Sequence, residues 1–211
     1  MGKITDISMQ KKNKNRMNVY IDNIFAFGVS SELIYKEKLK IGSIIDEEKL
    51  KKIAYEENLL NCRETSLRII ERSYKTKKEM ITRLLEKGYN LEEINETLKF
   101  LEEYNFINDE SYAKAFIKDR TRTQGKQKIK YSLRNKGISD EIIEEELSKV
   151  NMENEKENAN ELALKKYKVL IKRENDKYKL KEKIIRFLLG RGYNYEVAKD
   201  AVKEILNNYV D

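Results

Sequence analysis

Three glycines stand in the same local context: Leu84-Leu85-Glu86-Lys87-Gly88-Tyr89-Asn90, Leu133-Arg134-Asn135-Lys136-Gly137-Ile138-Ser139 and Leu188-Leu189-Gly190-Arg191-Gly192-Tyr193-Asn194. The copies are 49 and 55 residues apart, and recurrence at such a period is the signature of a repeat architecture. A glycine just past a helix takes the left-handed backbone conformation that closes it, and the next residue packs back on the residue four before the glycine. Leu84 is thereby matched with Tyr89, Leu133 with Ile138 and Leu188 with Tyr193. Asn90, Ser139 and Asn194 then cap a new helix, with Glu92, Glu141 and Glu196 near the positive end of its dipole. Every copy reads helix, tight turn, helix, and residues 124–150 are the middle copy.

Apolar residues agree between copies when counted from the turn glycine. They occupy minus 21 (Leu67, Phe116, Ile171), minus 8 (Met80, Ile129, Ile184), plus 6 (Ile94, Ile143, Ala198) and plus 10 (Leu98, Leu147, Val202). With no proline in 211 residues, nothing breaks these helices. The expected fold is mainly α, three tandem three-helix repeats over 46–106, 107–153 and 154–211, after a small β-rich segment over 1–45. Residues 46–72 form one bent helix or two, with Asn61 and Glu64 as a capping box inside the run, and Thr76 with Glu79 forms another. In the second repeat Asn108 caps a helix from 109 to about 122 and Ile107 staples onto Tyr112. The third repeat places Leu162, Leu164, Tyr167 and Ile171 inward. The polar stretch 151–160 is a linker or a solvated helix start.

The first 45 residues alternate apolar and polar side chains over 3–9 and 17–21, the pattern of half-buried strands. A basic turn over 11–16 joins them, and Asp22-Asn23 is a two-residue hairpin turn into 24–29. A three-stranded sheet is expected, then a short helix capped near Ser30 and a short extended piece at 41–45.

Residue counts exclude several function classes. Cys62 is the lone cysteine and there is no histidine, so intrachain disulfides, Cys/His metal clusters and histidine triads cannot be built. Neither phosphate-loop pattern, G-x-x-x-x-G-K-[ST] or G-x-G-x-x-G, is present. A non-enzyme without cofactor or metal is expected, and the absence of a signal or membrane-spanning run points to the cytoplasm. Charge points to a partner. From Tyr112 to Gly137 nine cations, Lys114, Lys118, Arg120, Arg122, Lys126, Lys128, Lys130, Arg134 and Lys136, face one acid, Asp119, whereas 140–146 carries five acids. A second basic run over 165–191 holds eleven Lys and Arg, and the net charge is +7. Basic runs at matching places in two repeats favour an anionic partner, nucleic acid or an acidic protein surface. Tyr112, Tyr131, Tyr178 and Tyr193 sit at or beside apolar helical positions and are expected in the core.

These motifs resemble the RecX family of small bacterial regulators of the RecA recombinase. The first repeat carries an altered form of the family's Arg-Ser-x-x-Glu-Leu pattern as Lys75-Thr76-Lys77-Lys78-Glu79-Met80, then Leu84, Lys87, Gly88 and Tyr89. In the second, Asp109, Tyr112-Ala113, Arg120, Gly125, Ile129, Leu133 and Lys136-Gly137-Ile138 follow the family closely. The third ends in Phe187-Leu188 and Arg191-Gly192-Tyr193, similar to the family's Phe-Leu-x-x-Arg-Gly-aromatic ending. The resemblance implies an elongated, curved array that binds the RecA filament on single-stranded DNA and inhibits recombinase, ATPase and coprotease activities. The expected contact face comprises Arg120, Arg122, Lys126, Lys128, Lys130, Arg134 and Lys136 with Lys181, Arg186 and Arg191, touching RecA and DNA phosphates together. The acidic third helices are expected to face away from phosphate or to pair with RecA bases. A monomer without membrane contact is expected. The alternative reading is a sequence-specific or general DNA-binding helix-turn-helix protein, since helix, glycine-containing turn, helix is also its grammar.

Overall fold

A computed structural model describes residues 1–11 and 14–209. They form two units, Met1–Asn108 and a second from Asp109 onward.

The first unit begins with an antiparallel sheet of β1 (Gly2–Met9), β2 (Arg16–Ile21), β3 (Ile24–Ser30) and β4 (Ile44–Ile45), in the order β3-β2-β1-β4. The three expected strands are present, and the extended piece at 41–45 supplies a fourth, pairing Ile44 with Lys3 and Ile45 with Gly2. Asp22 and Asn23 have φ of 48° and 68°, the left-handed pair that a type I′ hairpin turn requires. Lys12 and Asn13 of the anticipated basic turn lie outside the described residues. Arg16, expected in that turn, instead opens β2 and is buried. Helix α1 (Ser31–Lys36) is capped by Ser30, whose hydroxyl accepts from the Leu33 amide at 2.9 Å.

Helix α2 (Glu47–Arg72) settles the question left open over 46–72: it is one helix, capped by Asp46. Asn61 and Glu64 lie inside it and cap nothing. Its buried line is Leu50, Ala54, Asn58, Cys62 and Ser66, every fourth residue and hence along one face, while Leu60 is exposed. Helices α3 (Lys77–Glu86) and α4 (Leu91–Glu103) complete the repeat, both opened by capping boxes, Thr76 with Glu79 and Asn90 with Glu93. Ile107 belongs to this core, in one cluster with Leu98 and Leu101.

The second unit holds two repeats: α5 (Asp109–Arg120), α6 (Lys126–Asn135) and α7 (Asp140–Ser148), then α8 (Met152–Leu170), α9 (Lys177–Gly190) and α10 (Tyr195–Tyr209). The stretch 151–160 is a helix start capped by Asn151. Gly88, Gly137 and Gly192 have φ of 87°, 87° and 88°. At each turn the glycine amide donates three residues back and the following amide donates to the carbonyl of Leu84, Leu133 or Leu188, at 3.3, 3.1 and 3.2 Å. This double bond pattern is the Schellman closure. The minus 8, plus 6 and plus 10 positions are buried in all three repeats, but at minus 21 Ile171 is 40% exposed. Helix α9 has 14 residues where α3 and α6 have 10, so counting back from Gly192 arrives one turn late; Tyr167, a turn earlier, is the buried residue. Alanines Ala159 and Ala163 supply the rest of the inward face of α8, in place of Leu162 and Leu164, which pack at its margin.

Candidate nucleic-acid and filament interface

The ten candidate cations fall on the end of α5, the turn after it, α6, and α9 with its closing turn. Most are engaged inside the protein. Lys130 pairs with Glu144, and Arg134 reaches Asp140 with two bonds of 2.6 and 3.0 Å. The acidic helix α7 therefore pairs with the basic helix α6 of its own repeat at these two points. The Arg134 guanidinium holds the Asp140 carboxyl below its ordinary range. Arg120 pairs with Asp119 at 3.2 Å and lies 5.4 Å from the Phe116 ring. Lys136 stands over Tyr112 and Phe116, at 5.3 and 5.9 Å.

Three further candidates tie the second repeat to the third. The Lys126 ammonium lies 3.6 Å from Glu155 and donates to the Val150 carbonyl. Lys128 Nζ donates to the Gly190 carbonyl at 3.2 Å. Arg191 lies over the Phe187 ring at 5.1 Å, and its guanidinium donates to the Thr123 carbonyl at 3.5 Å. Arg122, Lys181 and Arg186 are exposed and, among the described residues, make no ion pair or side-chain hydrogen bond. Tyr131 and Tyr178, expected in the core, are 66% and 69% exposed on α6 and α9. Tyr131 has Lys128 and Arg134 three residues to either side, the helical spacing that shares a face. Tyr193 is buried, as expected, and burial together with the nearby Glu155 pushes its hydroxyl up to about 12.

The structure also assembles a polar cluster that sequence reasoning missed. Arg16 donates to Asn58 Oδ1 at 3.1 Å and to the Gly28 carbonyl at 3.3 Å, with its guanidinium 4.6 Å from the Tyr89 ring. Glu93 is 2% exposed, and burial raises its carboxyl above the ordinary value although Arg16 and the Asn90 amide act to lower it. Arg16, Gly28, Asn58 and Glu93 line a cleft of about 310 Å³ between the sheet and the first repeat. Only the long-range pairing of Arg16 with Asn58 marks it, and no periodicity carries that signal. Elsewhere Glu110, Glu145 and Glu146 bring three carboxylates within 4.8 Å of one another, with Lys149 2.9 Å from Glu145 and also bonded to Glu146, so a lysine already engages two of the three. Among the described residues no helix is long and apolar enough to cross a membrane.

The domain order just described is that of a known family. Four family models match in sequence: Regulatory protein RecX N-terminal domain over 2–46, then RecX first, second and third three-helix domains over 62–101, 108–147 and 153–202. The chain belongs to the RecX family. It is 48% identical to regulatory protein RecX of Clostridium perfringens (strain SM101 / Type A) over 208 residues, 99% of this chain and 98% of that protein. It is 49% identical to regulatory protein RecX of Clostridium botulinum (strain Alaska E43 / Type E3) over 207 residues, 98% of each. A crystal structure of regulatory protein RecX superposes with a TM-score of 0.67 at 26% identity, covering 97% of this chain and all of that one. RecX from Lactobacillus salivarius superposes at 0.64 and 24% identity over 70% of this chain and 96% of that one, a likeness of fold. A RecX regulatory role follows from these relationships.

Proposed function

We propose that this RecX-family chain is a negative regulator of RecA, which binds the RecA filament on single-stranded DNA and inhibits its recombinase, ATPase and coprotease activities. The observation that carries this reading is the match to regulatory proteins RecX at 48–49% identity along nearly the whole chain. The contact is centred on the cations left without an internal partner, Arg122, Lys181 and Arg186, with the others of the ten, Arg120, Lys126, Lys128, Lys130, Arg134, Lys136 and Arg191, supporting that face. Direct contact with single-stranded DNA uses the same cations for phosphates and Tyr131 for a base, since base–aromatic stacking is tolerant of sequence. The acidic starts of α4 and α7, Glu92 with Glu93 and Asp140 with Glu141, argue against a helix-turn-helix reader, whose recognition helix enters the groove by its N-terminal residues.

The test is DNA-dependent ATP hydrolysis by the cognate RecA with this protein at substoichiometric ratio. Inhibition is expected, and its absence overturns the reading. Reversing Arg122, Lys181 and Arg186 to Glu should raise the concentration for half-inhibition at least about tenfold, roughly 1.4 kcal/mol. Binding to bare single-stranded DNA should fall by about 0.7 log unit per log unit of salt for each phosphate neutralised, so about 2 for three cations. A flat salt response moves the contact to protein alone.

A further inference from the structure

The fit of the second repeat on the third is made by backbone, and one glycine permits it. Gly125 is the N-cap of α6 with φ −78° and ψ 164°, a conformation open to any residue, and it has no side chain with which to cap. A serine or asparagine there would ordinarily cap better. The capping comes from the third repeat instead. The Gly125 amide donates to the Arg191 carbonyl at 3.0 Å, and the Gln127 amide donates to the Gly192 carbonyl at 3.1 Å. The Lys126 amide donates to Glu155 Oε1 at 3.4 Å. Two carbonyls and one carboxylate from the third repeat thus satisfy the first amides of α6, which a helix cannot satisfy itself. The approach leaves no room for a side chain: a Cβ on Gly125 would lie 2.3 Å from the Gly192 oxygen and 2.4 Å from the Tyr193 nitrogen. Those atoms belong to the Schellman turn that closes α9, so neither can shift without opening it. Lys126, Lys128 and Arg191 lie around this junction as a polar rim.

We propose that Gly125 is a positioning residue: by seating α6 on the closing turn of α9 it holds the cations of the two helices at a fixed separation, so that one extended anionic partner meets both at once. A fixed separation matters because two linked contacts exceed either alone only when geometry lets both engage together. The proposal rests on the reading of this surface as the filament contact.

The test uses the full chain carrying Gly125→Ala, with Gly190→Ala as control, because a Cβ on Gly190 meets nothing within 4 Å. Amide hydrogen exchange reads the junction without RecA. In G125A the amides of residue 125 and Gln127 should exchange at least about tenfold faster than in the parent, while those of Ile138 and Tyr193, which close the two turns, hold their rates. G190A should leave all four unchanged. Equal protection of Gln127 in G125A and parent overturns the junction. Inhibition of RecA ATP hydrolysis should then weaken at least about tenfold in G125A and stay at the parent level in G190A. Faster exchange in G125A with full inhibition overturns the positioning role. Full protection of Gln127 in a parent protein that fails to inhibit RecA locates the failure in the proposed function and leaves the junction standing.

Discussion

Replacing Arg16 by methionine is the most informative change in the first unit, because it removes a buried charge while keeping the length of the side chain. Arg16 is 5% exposed. Its guanidinium gives hydrogen bonds of 3.1 and 3.3 Å to Asn58 and Gly28 and lies over Tyr89. Each bond from a charged donor contributes about 1.5–3 kcal/mol, and the stacked cation about 0.5–2. These terms overlap, and the acceptors left unsatisfied in the interior add to the loss, so about 4 kcal/mol is expected for R16M. With a urea slope near 2 kcal/mol/M, the midpoint for the first unit followed by circular dichroism should fall by about 2 M. The acid whose charge Arg16 favours in the same cleft is Glu93, and its carboxyl is already raised above 4.5 by burial. A carboxyl raised in the folded state makes the folded protein bind more protons, so its contribution to stability falls as pH rises from 4.5 through the raised value. Without Arg16 that fall should steepen, and Glu93→Gln added to R16M should flatten it and recover about 1–2 kcal/mol at pH 7. If the double variant is no more stable than R16M and keeps its pH slope, Arg16 and Glu93 are not coupled and the argument fails.

Further outcomes follow from other buried groups. Burial pushes the Cys62 thiol up to about 11, so labelling of the native protein by a disulfide reagent at pH 8 should run at least about 100-fold slower than in urea; fast labelling would refute the packing of α2. Both Cys62 and Tyr193 have folded values raised above their ordinary 9 and 10, so stability should drop as pH climbs beyond those values, by at most about 3 kcal/mol each. Tyr193→Phe should remove its share of that drop, measured by urea unfolding at pH 8 and pH 11. Thr76→Ala, which deletes half of a capping box, should cost about 1 kcal/mol in the same assay, whereas Arg134→Gln should leave the unfolding midpoint nearly unchanged, since its pair with Asp140 is half-exposed.

The turns were legible because a Schellman closure is local: glycine, the apolar residue after it and the leucine four before it lie within six residues, and all three copies show it. The strands and the Asp22-Asn23 turn were legible for the same reason. The register of α8 was not, because a repeat counted from its last glycine assumes helices of equal length and α9 has an extra turn. Asn58, Cys62 and Ser66 were hidden as core residues because a line of small and polar side chains reads as surface until a neighbouring helix packs on it. Arg16 sits among lysines and asparagines, and nothing nearby in sequence says that its partners are 12 and 42 residues away. Charge in a sequence does not say which way it points, so Arg122, Lys181 and Arg186 could not be told from the internally paired Lys130 and Arg134.

That distinction changes how the two basic runs are weighed. In the second repeat the helix after the turn, α7, brings Asp140 and Glu144 to Arg134 and Lys130, so part of the excess of cations on α6 is answered within the repeat. In the third repeat the acids that pair with α9 come from the segment before it, Glu174 with Lys183 at 2.7 Å and Asp176 with Lys179 at 3.9 Å. They engage Lys179 and Lys183 in the first half of α9, while Lys181 and Arg186 stay exposed and are in neither pair. Under the proposed function the contact is weighted toward the exposed cations of α9 and of the turn carrying Arg122. A net charge of +7 alone would suggest a diffuse and strongly salt-dependent grip on nucleic acid. A few outward cations held apart by a close-packed glycine suit a partner that presents a repeating surface, where spacing discriminates and total charge does not.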